Sequence, residues 1–106
     1  MNPTVKLKLI KALKSGRYKQ THHQLRNGDR FCVLGVICNL HAQAHPDIAS
    51  AQKNKNSYMG SSVTLPDKVR EWAGMSAHEK NILINLNDLH NFTFGQIAYL
   101  LKHIWK

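Results

Sequence analysis

The chain has 106 residues, 42 % of them hydrophobic, and sets fifteen lysines and arginines against six acids, a formal charge of +9 at neutral pH. That length provides one domain with one modest core, and no apolar run approaches the roughly 20 residues that a membrane span needs. Six scattered acids supply no paired catalytic carboxylates, and the six glycines stand apart, so no phosphate-cradling loop is present.

The charge is unevenly distributed. Within the first thirty residues Lys6, Lys8, Lys11, Lys14, Arg17, Lys19, Arg26 and Arg30 face Asp29 alone, while the remainder is nearly balanced. Clustered charge focuses potential on one surface and speeds encounter with polyanions. The first residues, MNPTVKLKLIKALK, lack an uninterrupted apolar stretch and a small-residue cleavage site, so no secretory signal is expected. Cys32 and Cys38 are then expected as free thiols in a reducing cytoplasm.

Asn2 before Pro3 predicts a capped helix over 3–15. At 100° per residue Val5, Leu9, Ala12 and Leu13 share a face, with Lys11 and Lys14 opposite and Lys8 at its border. Alternation of Val5, Leu7 and Leu9 with lysines also fits a strand. Gly16 supplies a stop. Asn27-Gly28 is a hairpin signal of type I′, with Tyr18–Leu25 and Arg30–Val33 as its strands. The apolar run Phe31–Leu40 predicts a buried helix, which Pro46 closes. Residues 47–63 are small and polar and are expected as a mobile loop. Pro66, Asp67, Val69 and Trp72 mark a helix that ends at Gly74. Ser76 with Glu79 and Thr93 with Gln96 form capping boxes. They open one helix with Ile82, Leu83 and Leu86 inward, and another with a stripe of Phe94, Ile97, Ala98, Leu101, Ile104 and Trp105. The expected fold is α+β: a small, mostly helical single domain over 1–106, with four to five helices and one β-hairpin.

Three blocks in order, ALKSGRYKQTHHQLRNGDRFCVLGVICNL, LPDKVREWAGM and LINLNDLHNFTFGQIAYLL, give the chain a resemblance to a family of small uncharacterised phage and prophage proteins. Its pattern runs "AL.SG.Y.Q…LR….FC.LGV.C.L", "LP..V..W.G" and "L..LND….F..IA". No established activity attaches to that family. The resemblance implies an accessory phage product in the cytoplasm of a bacterial host, acting on host proteins or nucleoprotein complexes, anti-defence inhibitors included. Cys32, Cys38, Asn87 and Asp88 fall in the matching blocks, as structural or site residues. His41 and His45 do not.

The main binding candidates are Lys8, Lys11, Lys14, Arg17, Lys19, Arg26 and Arg30, as phosphate contacts on a helix and adjoining hairpin, with Tyr18 and the His22-His23 pair adding stacking or hydrogen bonds. The plain alternative is a solvated surface that keeps the protein soluble. Residues 77–104 have the outline of a helix-turn-helix, but the last helix offers only Gln96, Lys102 and His103 for base reading, which favours core packing. Cys38, His41 and His45 fall at zinc-ligand spacing on one helical face, yet no CxxC pair is present and free cysteines are commonly small buried hydrophobes. No metal or other cofactor is expected. A thiol hydrolase would need Cys32 or Cys38 activated by a histidine such as His90, and no local feature exposes such a nucleophile. Asn85, Asn87, Asp88 and Asn91 read as helix-end capping rather than a recognition loop. Trp72 and Trp105 read as packing, and Tyr58 as a loose loop aromatic. The resulting expectation is a non-enzymatic binder of nucleic acid or of an acidic host protein or nucleoprotein complex, with no membrane role. The alternative is a protein–protein inhibitor of a host defence system using the same surface.

Overall fold

A computed structural model describes residues 1–105. Helix α1 (Pro3–Lys14) opens as its sequence dictates: the Asn2 side chain accepts hydrogen bonds from the amides of Thr4 and Val5 at 2.9 and 3.2 Å. The helical period buries Val5, Leu9, Ile10 and Leu13 and leaves Lys8, Lys11 and Lys14 in solvent. The alternating pattern does not produce a strand here.

Three two-residue strands follow, β1 (Lys19–Gln20), β2 (Arg26–Asn27) and β3 (Arg30–Phe31), in the order β1-β3-β2. This corrects the expected hairpin in two ways. The expected strands Tyr18–Leu25 and Arg30–Val33 shrink to β1 and β3, which pair parallel, and only β2 pairs antiparallel with β3. The turn also slips by one residue. Asn27 pairs with Arg30, so Gly28 and Asp29 are the central residues; Gly28 alone has positive φ, +64°, the signature of a type II′ turn.

Helix α2 (Val33–Ala44) is the centre of the molecule. Val33, Leu34, Val36 and Ile37 are fully buried, with Cys38, Leu40 and His41 nearly so, so it has scarcely any solvent face. Cys32 is its N-cap: Sγ accepts from the Gly35 amide at 3.4 Å. Gly35 lets another segment cross the helix. A Cβ there would lie 1.8 Å from the Leu25 carbonyl oxygen, and that oxygen already accepts from the Cys32 amide at 3.1 Å.

As expected, α2 ends just before Pro46, at Ala44 with His45 as its C-cap, and Pro46 is also the first residue of a new short helix, α3 (Pro46–Ser50). Beyond it, Tyr58 and Ser61 form a bridge. Tyr58 is not loose but buried, its hydroxyl 2.7 Å from His41 Nδ1. Helix α4 (Asp67–Trp72) starts after Pro66 and ends at Gly74, whose φ is +68°. Helices α5 (Ala77–Asp88) and α6 (Phe94–His103) carry both expected capping boxes. Leu83 is buried on α5, but Ile82 is exposed; on α6 the stripe is buried through Leu101, Ile104 stands in solvent, and Trp105 packs half-buried against the core as expected.

The outcome is an α+β domain, mostly helical, with six helices and one small mixed sheet among the described residues. Helix α6 packs along α1 and against α5, and α1 and α5 in turn pack on α2. Among the described residues no helix is long and apolar enough to cross a membrane.

Candidate nucleic-acid interface

Sheet register decides which of the basic residues share a surface. Directly paired residues point to the same face. Lys19, Arg30 and Asn27 are cross-strand neighbours and exposed, whereas Gln20, Phe31 and Arg26 occupy the other face, against the core. Lys19 meets Asp29 at 3.6 Å with both side chains largely in solvent, a contact worth at most about 1 kcal/mol that a phosphate can replace. Arg26 differs from the other six. Its guanidinium lies 4.6 Å above the Phe31 ring and its Nε donates to the Gly28 carbonyl at 2.7 Å. It thereby braces the turn and is absent from the exposed basic row.

Three of the remaining cations, Lys8, Lys11 and Arg17, line a groove of about 660 Å³ between α1 and the C-terminal half of α2. Lys8, Lys11, Ser15 and Arg17 form one wall, Leu40, Gln43 and Ala44 the other, with Tyr18 at the end. No acid lines it. Lys14 stands outside the groove on the same helix, one turn beyond Lys11. The C-terminal ends of α1 and α2 contribute opposing partial charge, about half a unit each. That is smaller than three full positive charges, and the Ser15 hydroxyl already satisfies the Ala12 carbonyl at 2.7 Å. Tyr18 is held in place by Asn39, whose Nδ2 donates to its hydroxyl at 2.6 Å, and by edge-on contact with Phe31 at 5.0 Å. The groove therefore offers donors, positive charge and one fixed aromatic ring.

The polar cluster at the end of α5 does different work. Asn87 is completely buried. Its Oδ1 accepts from Gln20 Nε2 and the Val33 amide at 2.9 and 3.2 Å, and its Nδ2 donates to the Thr21 carbonyl and Asp88 Oδ1 at 2.9 and 2.7 Å. Gln20 extends the knot to the start of α6, donating to the Phe92 carbonyl at 2.8 Å and accepting from the Phe94 amide at 3.1 Å. Asp88 Oδ1 also accepts from the His23 amide at 3.1 Å, at a residue with φ of 66°. The cluster thus joins the sheet, the N-terminus of α2 and the α5–α6 connection. Sequence reasoning missed Gln20, whose only signal is its place in the first resemblance block.

The cysteines and histidines lie elsewhere. Burial pushes the Cys32 thiol up to about 11 and raises Cys38 further, so both are protonated and weakly nucleophilic at neutral pH. His41 stacks on His45 at 4.0 Å and meets Trp72 edge-on at 5.1 Å. His45 Nδ1 lies 2.9 Å from the His41 carbonyl oxygen. Among the described residues no three His, Cys, Asp or Glu side chains converge as metal ligands, those of Cys38, His41 and His45 included. On α6, the Oε1 of Gln96 is committed to its capping box, accepting from the Thr93 amide at 2.9 Å, so it is not free to pair both ends of its amide with a base edge.

His41 makes stability pH-dependent. Burial, and then the neighbouring His45, lowers its pKa below 6.5. The unfolded chain therefore binds more protons between the lowered value and 6.5, and stability falls as pH drops through that window, by up to about 1.4 kcal/mol per pH unit. His41→Gln is expected to flatten this dependence, as read from melting temperatures between pH 5 and 7. Glu79, held below 4.5 mainly by its hydrogen bond to the Ser76 amide, acts in a separate window, its contribution fading as pH falls below 4.5.

No curated protein and no solved structure matches the chain. One family model does, over residues 1–104, and the chain accordingly belongs to the family described as a domain of unknown function (DUF8296).

Proposed function

We propose that this protein is a non-catalytic binder of nucleic acid, alone or within a nucleoprotein complex, whose working surface is the groove between α1 and α2. The supporting observation is the convergence of Lys8, Lys11, Arg17 and Tyr18 on one groove with no acid among its described lining residues; Lys14, Lys19 and Arg30 are exposed on the same N-terminal segment. Cations that track a phosphate backbone, together with an aromatic ring for a base to stack on, are the working parts of sequence-tolerant nucleic-acid binding. Arg26 is left out of the contact set. The setting is that of the resemblance: an accessory phage protein in the bacterial cytoplasm.

Replacing Lys8, Lys11 and Lys14 with glutamate is the test. The triple variant is expected to lose binding to duplex and single-stranded oligonucleotides by about a hundredfold or more at low salt, since it removes up to three phosphate contacts and adds repulsion. Lys11 and Lys14 also favour the C-terminal end of α1 by about 0.3–1 kcal/mol each, so a melt confirms folding. Undiminished gel shifts by a folded variant would reject the surface.

One observation favours a second reading. Leu7 is 62 % exposed and falls between Lys11 and Lys14 on the helical wheel, so the basic face has an apolar centre. Such a face also suits an acidic host protein, as an anti-defence inhibitor would require. Capture from bacterial lysate with and without nuclease separates the two: nuclease-resistant capture of one acidic protein favours inhibition.

A further inference from the structure

A second cleft, of about 360 Å³, opens on the other flank of α2 and none of its cations belongs to the groove described above. Its base is apolar and aromatic, formed by Phe31, Cys38 and Tyr58, each under 10 % exposed. The small side chains of Ala42 and Ala49 leave it open on that side. Its charged lining is Arg26, Lys53 and Lys55, with no acid, and among the described residues no carboxylate lies within ion-pair distance of the three.

Arg26 is the informative residue. Its Nε is committed to the Gly28 carbonyl and its plane is supported by Phe31, which together fix the guanidinium. Its two terminal NH₂ groups have no hydrogen-bond partner among the described residues. A guanidinium held in one orientation with both ends free is arranged for a two-point bond to an oxyanion, and its ordering cost is already met on folding. The two lysines can add charge from the opposite, exposed segment.

We propose that this cleft binds a small organic phosphate carrying a flat ring, of about the size of a nucleoside monophosphate, with the phosphate on Arg26, Lys53 and Lys55 and the ring against Phe31 and Tyr58. The volume falls within the range of small-molecule pockets, and a hydrophobic floor with a few convergent polar groups is their usual chemistry. The ligand is either a free mononucleotide or the phosphorylated end of a strand. The cleft meets the first groove at one hydrogen bond, Asn39 to Tyr18, since each residue lines one of the two.

The experiment is an amide-resolved NMR titration of the full chain with adenosine monophosphate. Saturable shifts are expected at Gly35, Asn39 and Tyr58, with a dissociation constant of about 1 mM or tighter. The double variant Lys53→Ala, Lys55→Ala replaces exposed side chains, should melt like the wild type, and should bind about tenfold more weakly or worse. Adenosine and ribose 5-phosphate should each bind more weakly than the complete nucleotide. The Lys8, Lys11 and Lys14 charge-reversal variant should bind it normally, which keeps this result separate from the fate of the first groove. A 5′-phosphorylated oligonucleotide that outcompetes the mononucleotide names the strand end as the source; the reverse ranking names the free nucleotide. No shifts at about 1 mM, shifts confined to residues 8–17, equal binding by the double variant, or equal binding of ribose 5-phosphate would each overturn the proposal.

Discussion

Alanine at position 35 is expected to be among the most destabilising single substitutions in the protein, lowering its melting temperature by about 12 °C or more. The added methyl would lie 1.8 Å from the Leu25 carbonyl oxygen, a backbone atom that cannot swing away as a side chain can. Leu25 is anchored on both sides, since its amide donates to the Ser62 carbonyl at 2.8 Å and its carbonyl accepts from Cys32 at 3.1 Å. Relief therefore means breaking those bonds or displacing the first turn of α2, whose neighbours Val33, Leu34 and Val36 are wholly buried. Overpacking typically costs 1–3 kcal/mol, and backbone against backbone belongs at or above the top of that range, about 3 kcal/mol or more. For a domain of this size that is a fall in melting temperature of about 12 °C or more. Gly16→Ala is the control: its φ of +76° makes alanine strained by about 1–2 kcal/mol, but the surrounding space is open. Equal, small losses in the two variants, measured by thermal melts, would refute the crossing.

The second large effect is at Asn87. Asn87→Ala strips partners from the Val33 amide and the Thr21 carbonyl and removes one of two acceptors from Gln20. Each buried group left without a partner costs about 1–3 kcal/mol, so a loss of about 2–5 kcal/mol is expected, with faster hydrogen exchange at the Val33 amide. Asn87→Asp is more diagnostic because it preserves size. Its carboxyl group would be buried beside Asp88 and facing the Thr21 carbonyl, an environment that raises its pKa above the unfolded value of about 3.9. Relative to wild type, that variant should be least destabilised in acid and progressively worse as pH rises through and above 3.9. A flat difference across pH would mean that Asn87 only fills space.

What the sequence reveals divides along the line between local and tertiary causes. The caps at Asn2, Ser76 and Thr93 depend on residues within three positions and are readable before folding. The burial of Phe31–Leu40 is equally plain, because a run with so few polar positions has no solvent face to offer. The Asn27-Gly28 signal is right about a tight turn but off by one residue, since Gly28 alone can supply the positive φ of a type II′ turn while Asn27 remains in its strand. Pro46 is ambiguous in principle: proline ends one helix and opens the next with equal ease. Arg26 and Arg30 look equivalent in the sequence, and only the three-strand register turns one inward over Phe31 and the other out. The lysine face of α1 is legible from its period. The opposing wall of Gln43 and Ala44 is not, because it depends on how α1 packs against α2. The second cleft was hidden for the same reason, with Lys53 and Lys55 lying in a polar stretch that gives no sign of facing Arg26.

The basic face on α1 gains its meaning from those tertiary contacts. Within the proposed function, charge alone points to polyanions as a class, and a groove with an anchored tyrosine supports a mode of binding. Cations that contact phosphate release counterions, and affinity must then fall steeply with salt.

The measurement closest to the central claim is the dissociation constant for a fluorescent oligonucleotide across a salt series, for the wild type and for the Lys8, Lys11 and Lys14 charge-reversal variant. Three to six contacts from Lys8, Lys11, Lys14, Arg17, Lys19 and Arg30 predict a log–log slope of about −2 to −5 for the wild type, with the variant binding far more weakly and along a shallower line. No detectable binding at low salt, or identical slopes for two folded proteins, would contradict the account.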